Sequence, residues 1–271
     1  MTSIPGAKPG ASIPILSVPN LRDIGGYRTS DGGSVRFGRF YRSTDLSKIT
    51  VDDAPRLADL GLVTVFDLRT HSEREAAPDR LPASAREVAL DVLADKAYRS
   101  VPAQMQAVLA DPSIAVTMLG ENKAVDYFLG SYRDFVTLPS AIASYRGMFT
   151  DLAAPDALPA LVHCTTGKDR TGWATASLLL LLGVDEDDVY HDYLLTNTQL
   201  LPAFASVFDK FTVAGGDPEL LKQVLGVRSE YLDAALKQMR ESFGTIEGYF
   251  ADGLGIDKDG QETIRKHLVE G

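Results

Sequence analysis

The sequence predicts an α/β fold, and three observations carry the prediction. Short strand-like runs occur at Leu62–Leu68, Glu87–Leu90 and Leu158–Val162, within the usual length of a strand and too short for a helix. Longer stretches at helical spacing lie between and after them, at Glu121–Val136, Ala141–Leu152 and Trp173–Leu182. The last strand and the last of these helices are joined by a glycine-bearing loop, Cys164–Gly172. Strands alternating with helices build a sheet covered by helices.

Along the chain, Met1–Pro19 is rich in Pro, Gly, Ser and Ala and reads as a flexible tail, leaving residues 20–271 as a single domain. Asn20–Ser43 reads as a hairpin turning at Asp31-Gly32-Gly33, with Arg22 and Asp23 as structural ion-pair residues. Thr50 can cap a short helix that Gly61 stops. Asp67 and Arg69 end the strand Leu62–Leu68, where open α/β sheets bind ligands; an ion pair is the other reading of these two. Glu87–Leu90 runs into Asp91. Ala94–Gly120 has weak periodicity and reads as an insert of loops with a short helix near Pro102–Ala110. Val125, Phe128, Leu129, Tyr132, Phe135 and Val136 form a helical stripe of the kind that faces a core. Asp185 can cap the helix that follows Gly183. The apolar stretch Leu200–Leu225 is broken by Pro202, Gly215-Gly216 and Pro218 into two pieces. Arg228–Phe243 is amphipathic, and two short helices near Thr245–Phe250 and Asp259–Val269 finish the chain.

The chemistry concentrates in His163-Cys164-Thr165-Thr166-Gly167-Lys168-Asp169-Arg170-Thr171-Gly172. A strand, a tight loop and a helix start make an anion cradle, because backbone N–H groups converge there and the helix end adds partial positive charge. Such a cradle favours a thiolate at Cys164 and equally a phosphate group. Arg170 offers a planar fork matching two phosphate oxygens. Gly167 permits a backbone angle closed to other residues, and Gly172 lets the helix approach closely. A Walker A loop is excluded: Val162 stands where its first glycine is needed, and Asp169 where Ser or Thr must follow the lysine.

These residues resemble the signature of the atypical bacterial cysteine-dependent tyrosine phosphatases, His-Cys-x-x-Gly-Lys-Asp-Arg-Thr-Gly. The resemblance extends to Asn20–Asp23, Arg42–Ser47, Asp67–Arg69 and Gly226–Leu232, and is strongest to the secreted mycobacterial tyrosine phosphatase B group. It implies a tyrosine-phosphatase-like fold, a mostly parallel central sheet flanked by helices, with a helical lid or insert for which residues 200–225 are the candidate. It also implies attack by Cys164 on phosphorus, a cysteinyl-phosphate intermediate, and oxygens held by Arg170 and the N–H groups of Thr165, Thr166, Gly167 and Lys168. The leaving oxygen needs a proton. Ordinary tyrosine phosphatases take it from a Trp-Pro-Asp loop, which is absent here because Ala174 follows the only tryptophan, Trp173. Asp91, by rough matching to the resembled group, and Asp169, inside the cradle, are the two candidates, with Asp91 slightly favoured. His163 is expected to fix the loop, and Thr171 to hydrogen-bond the sulfur during breakdown of the intermediate. Lys168 resembles the extra lysine of lipid phosphatases, so phosphoinositides join phosphorylated proteins as expected substrates; a solvated loop charge is the plainer reading.

Composition narrows the remaining classes. A net charge of −10 over 271 residues argues against a general nucleic-acid binder. No metal or cofactor is expected: the cradle needs none, and no His-Glu-x-x-His motif is present. Cys164 is the only cysteine, so no internal disulfide can form, which suits the cytoplasm or export without a conventional signal peptide. The apolar run Trp173–Leu182 is too short to span a bilayer. A monomer is expected. A rhodanese-like sulfurtransferase would share the cysteine cradle without needing Arg-Thr-Gly after it. A phosphate-binding pseudoenzyme would be favoured by loss of Cys164 or Arg170, and both are present.

Overall fold

The computed structural model describes residues 8–96, 122–154 and 156–271. Among these residues the main sheet holds five strands in the order β1-β3-β6-β4-β5. These are β1 Arg22–Asp23, β3 Phe40–Ser43, β4 Thr64–Asp67, β5 Arg86–Ala89 and β6 Ala160–His163. β1 runs antiparallel to β3; the other pairings are parallel. The expected hairpin does turn at Gly32, where φ is +93°. Its returning strand β2, Ser34–Val35, also pairs with β7, Val269–Glu270, in a small second sheet.

Strand alternation sorts the core. Ala160 and Val162 of β6, with Phe66 of β4 and Phe40 of β3, join the larger cluster on one face. Leu161, Val65 and Tyr41 point to the smaller cluster on the other. Both faces are covered, which is why these strands read as near-continuous apolar runs. Ile15 and Val18 are buried in that smaller cluster, and the Ile13 N–H donates to the Leu21 carbonyl. Residues 8–19 therefore pack against the sheet, although their Pro, Gly and Ser content suggests a loose tail. The expected helix near Pro102–Ala110 lies outside the described residues.

Helices α1 Ala54–Ala58, α2 His71–Ala76, α3 Lys123–Thr137, α4 Pro139–Leu152, α5 Arg170–Leu181 and α6 Glu186–Leu200 follow in chain order. After them come α7 Ala205–Val213, α8 Pro218–Leu225, α9 Ser229–Phe243 and, beyond a short helical stretch, α10 Lys258–Leu268. The stripe on α3 packs on α9, with Phe128 stacked on Tyr231 at a ring separation of 5.1 Å. Helices α7 and α8 share a small cluster of their own around Phe211, Leu221 and Leu225. No helix among the described residues is long and apolar enough to cross a membrane.

Parallel registry brings Ser43, Asp67 and His163 side by side at the carboxyl ends of β3, β4 and β6. The loop Cys164–Asp169 leaves the sheet from this row and feeds α5.

Candidate active site

The loop is held from beneath by backbone geometry. Gly167 has φ +64°, and a Cβ on it would lie 2.0 Å from the Ser43 carbonyl oxygen; no other residue fits. The Gly167 carbonyl accepts from Asn20 Nδ2 at 3.0 Å and from Arg42 Nη2 at 2.9 Å. Arg42 and Arg22 share the buried Asp192, at 2.7 and 2.9 Å. Arg22 is thus the ion-pair residue expected, with a partner 170 positions away. A Cβ on Gly172 would meet the Tyr193 ring at 3.0 Å, so this glycine lets α6 approach α5.

His163 is wholly buried. Its Nδ1 lies 3.1 Å from the Cys164 carbonyl oxygen and its Nε2 3.1 Å from Asp79 Oδ2. The second distance suits a hydrogen bond, but Nε2 lacks the alignment of one, so the contact is an ion pair. Burial works against a charged imidazole, yet the adjoining Asp79 and Asp67 outweigh it and raise the His163 pKa above 6.5. Asp67, Asp79 and His163 offer ligand atoms within 4.8 Å of one another, as a metal site would. Arg69 Nη2 already sits 2.7 Å from Asp67 and 2.8 Å from Asp79, so a guanidinium supplies the cation there. For Asp67 and Arg69 the ion-pair reading is the one realised.

Cys164 is 2 % exposed. Above the loop opens a cavity of about 260 Å³, lined by Thr165, Thr166, Lys168, Asp169, Arg170 and, from α2, Glu73. Apolar side chains make up much of the remaining lining: Leu93, Phe128 and Phe135, and from the 200–225 segment Phe204, Val224 and Leu225. Thr171 Oγ1 is buried without a hydrogen-bond partner among the described residues.

Arg170 begins α5. Its Nη1 and Nη2 donate to the two oxygens of Glu73 at 2.7 and 2.9 Å, and Nη1 also to the Leu68 carbonyl at 3.1 Å. Glu73 further accepts from Thr165 Oγ1 at 2.5 Å and from the Thr70 N–H at 2.8 Å. Burial alone would raise the Glu73 pKa, but the Arg170 guanidinium outweighs it and holds the carboxyl well below the usual range. Nothing in the reading of motifs pointed to Glu73. The signal was present, because Thr70-His71-Ser72-Glu73 has the spacing of a capping box, and that box forms at the start of α2.

Lys168 is not a solvated loop charge. Its Nζ is 4.2 Å from the Phe128 ring centre, 3.1 Å from the Gly226 carbonyl oxygen and 3.1 Å from Asp169, and the side chain is 5 % exposed. Asp169 makes no cap to α5; its Oδ1 accepts from Tyr132 Oη at 3.1 Å. Asp91 is not among the residues lining the cavity. Its two oxygens accept from the His71 and Leu93 N–H groups, at 2.9 and 3.1 Å, which ties the start of α2 to the turn after β5.

Comparison with known proteins agrees with this geometry. The model of the tyrosine phosphatase family matches residues 13–270. The triple specificity protein phosphatase PtpB of Mycobacterium tuberculosis is 34 % identical over 92 % of this chain and 96 % of its own length. A Cupriavidus necator protein that bears the provisional name tyrosine-protein phosphatase is 32 % identical over 94 % of this chain and 87 % of its own. A tyrosine-protein phosphatase of Nostoc commune is 31 % identical over 58 % of this chain and 48 % of its own. A cysteine at the base of an arginine-closed anion loop, on a sheet matched from its first strand to its last, leaves one assignment: the chain belongs to the tyrosine phosphatase family.

Proposed function

We propose that this phosphatase hydrolyses aryl phosphate monoesters, phosphotyrosine foremost, through a cysteinyl-phosphate, acting as a monomer. The observation that carries the reading is the pairing of the Cys164–Arg170 loop with a cavity whose remaining lining is largely aromatic and aliphatic. The loop takes the phosphoryl group and that lining takes a flat ring. Cys164 attacks phosphorus in line as the ester P–O bond breaks. The loop N–H groups and Arg170 hold the equatorial oxygens throughout, a fixed electrostatic arrangement that needs no rearrangement as charge shifts. Water then attacks the cysteinyl-phosphate and releases inorganic phosphate, with Thr171 Oγ1 free to hydrogen-bond the departing sulfur.

Among the described residues two carboxyl groups line the cavity, Glu73 and Asp169. Both face cations, but Glu73 gives its two oxygens to the Arg170 fork and is held ionised, whereas Asp169 meets the single ammonium of Lys168. Asp169 is the acid that protonates the leaving oxygen, in place of Asp91, whose oxygens are taken by backbone N–H groups. The mycobacterial relative is named for triple specificity, which supports a range of phosphomonoesters wider than phosphotyrosine. Phosphoinositides come second here. Their further phosphates need cations, and the two lining cations among the described residues, Lys168 and Arg170, already face carboxylates.

The test is turnover by the purified chain of a phosphotyrosine peptide, a phosphoserine peptide and a phosphoinositide in parallel. Release of phosphate fastest from the phosphotyrosine peptide supports the reading, whereas faster release from the phosphoinositide reverses the order.

A further inference from the structure

Asp169 does not stand alone in the cavity wall. Tyr132, from the middle of α3, is wholly buried and places its hydroxyl 3.1 Å from Asp169 Oδ1. Behind it the Tyr193 hydroxyl, from α6, lies 2.6 Å from Tyr132 Oη. Three elements that meet nowhere in sequence thus build one chain of hydrogen bonds ending on the proposed acid. An ionised Asp169 only accepts, so the single Tyr132 proton points to Oδ1 and Tyr193 donates to Tyr132 in turn.

We propose that Tyr132, backed by Tyr193, is a positioning residue for the proton transfer from Asp169. The inference rests on the reading of Asp169 as the acid. With Oδ1 taken by Tyr132 and Lys168, the transferable proton resides on Oδ2, which the Lys168 ammonium also faces at 3.1 Å. It passes to the leaving oxygen as the S–P bond forms and the P–O bond breaks, leaving a carboxylate. The Tyr132 hydrogen bond strengthens as that carboxylate forms, since a bond to an ionised acceptor is about twice as strong as a neutral one. It therefore stabilises the state after transfer more than the state before it, which is the condition for lowering a barrier. Burial raises the pKa of both tyrosines well above the ordinary value, so both stay neutral donors and neither competes for the proton.

The experiment compares kcat/KM for an activated ester, p-nitrophenyl phosphate, with that for phenyl phosphate, whose leaving group needs the proton, in wild type, Asp169→Asn, Tyr132→Phe and Tyr193→Phe. Asp169→Asn is expected to lose far more on phenyl phosphate. Tyr132→Phe should show the same split at smaller size, about tenfold on phenyl phosphate, the value of a hydrogen bond to a charged group, and less than about twofold on the activated ester by the same logic. Tyr193→Phe should repeat the split more weakly, and it decides the matter if Tyr132→Phe does not fold. Equal losses on both esters, or none, in tyrosine variants that fold like wild type would overturn the positioning role while leaving Asp169 as the acid. No split in Asp169→Asn would overturn both.

Discussion

Replacing Glu73 with Gln tests how the arginine clamp is organised. Glu73 takes one N–H from each terminal nitrogen of Arg170, and the Leu68 carbonyl takes another from Nη1. That leaves Nε–H for a phosphate oxygen, with Nη2 beside it engaged further only by a long contact to Thr165 Oγ1 at 3.5 Å. Gln keeps the capping box, which accepts Glu or Gln at that position, so helix α2 should survive. It keeps only one acceptor for Arg170 and turns an NH₂ group against the other guanidinium nitrogen. Losing one charge-assisted hydrogen bond is worth about 1.5–3 kcal/mol, or roughly ten- to a hundredfold in a rate that depends on the fork's aim.

A second effect opposes the first. Glu73 is a negative charge beside the incoming phosphate. At an effective dielectric constant of about 20 and a separation of about 6 Å, that repulsion is ~3 kcal/mol per unit charge. Glu73→Gln removes it from bound substrate and transition state alike, so it tightens binding without speeding chemistry. For a phosphate dianion the two effects oppose each other in kcat/KM with the second the larger, so the informative quantities are kcat and the inhibition constant of inorganic phosphate. We expect kcat to fall tenfold or more, by the magnitudes above, while phosphate inhibits as well as or better than in wild type. A kcat at or above that of wild type would mean that Glu73 competes with substrate for Arg170 rather than aiming it.

Cys164→Ser should bind phosphotyrosine peptide without turning it over, because a serine hydroxyl stays protonated in this setting; multiple turnover would name the wrong nucleophile. Arg170→Lys should lose most of its activity, since one ammonium cannot replace a fork pinned by Glu73 on one edge, and near-normal rates would refute the clamp. Lys168→Ala should lose similarly on phosphotyrosine peptides and phosphoinositides, because its charge is committed to Asp169, Gly226 and the Phe128 ring; a loss confined to phosphoinositides would restore the lipid reading. His163 has a folded-state pKa above the ordinary 6.5. Its contribution to stability is therefore complete below pH 6.5 and lost as pH rises through the higher folded value. Thermal melts across that window should show this decline, and His163→Gln should flatten it; an unchanged slope would remove the ion pair with Asp79 from the account.

The loop was legible in the sequence because its constraints are local. Cys164, Gly167 and Arg170 act through backbone angle, helix start and side-chain type, and all three are fixed within ten positions. The strands at 64–67 and 160–163 were legible because burial on both faces leaves short apolar runs, whereas the edge strand at 86–89 is mostly exposed. What the sequence hid is whatever depends on distance along the chain. Arg22 meets Asp192, and Asn20 meets Gly167, across 170 and 147 positions; no spacing rule reaches that far. Tyr132 looked like one more core residue on a helical stripe, and by packing it is one. Only its hydroxyl, carried to Asp169 by the docking of α3, gives it a second task.

Asp91 and Glu73 show the same limit from opposite sides. Both are acids at element ends, and both meet the start of α2. Asp91 follows a strand, which favoured it by position alone, yet it spends both oxygens on the N–H groups of His71 and Leu93. Glu73 sits where a capping box explains it completely, so nothing further is asked of it in sequence. In the fold its carboxylate serves the helix cap and Arg170 together. A carboxylate has about four lone-pair sites, enough to end a helix and aim a guanidinium at once. One residue thereby couples the position of α2 to the aim of the clamp. The cap shares its oxygens with Arg170 and with Thr165 of the loop, so a disturbance of Thr70 is expected to reach both through Glu73.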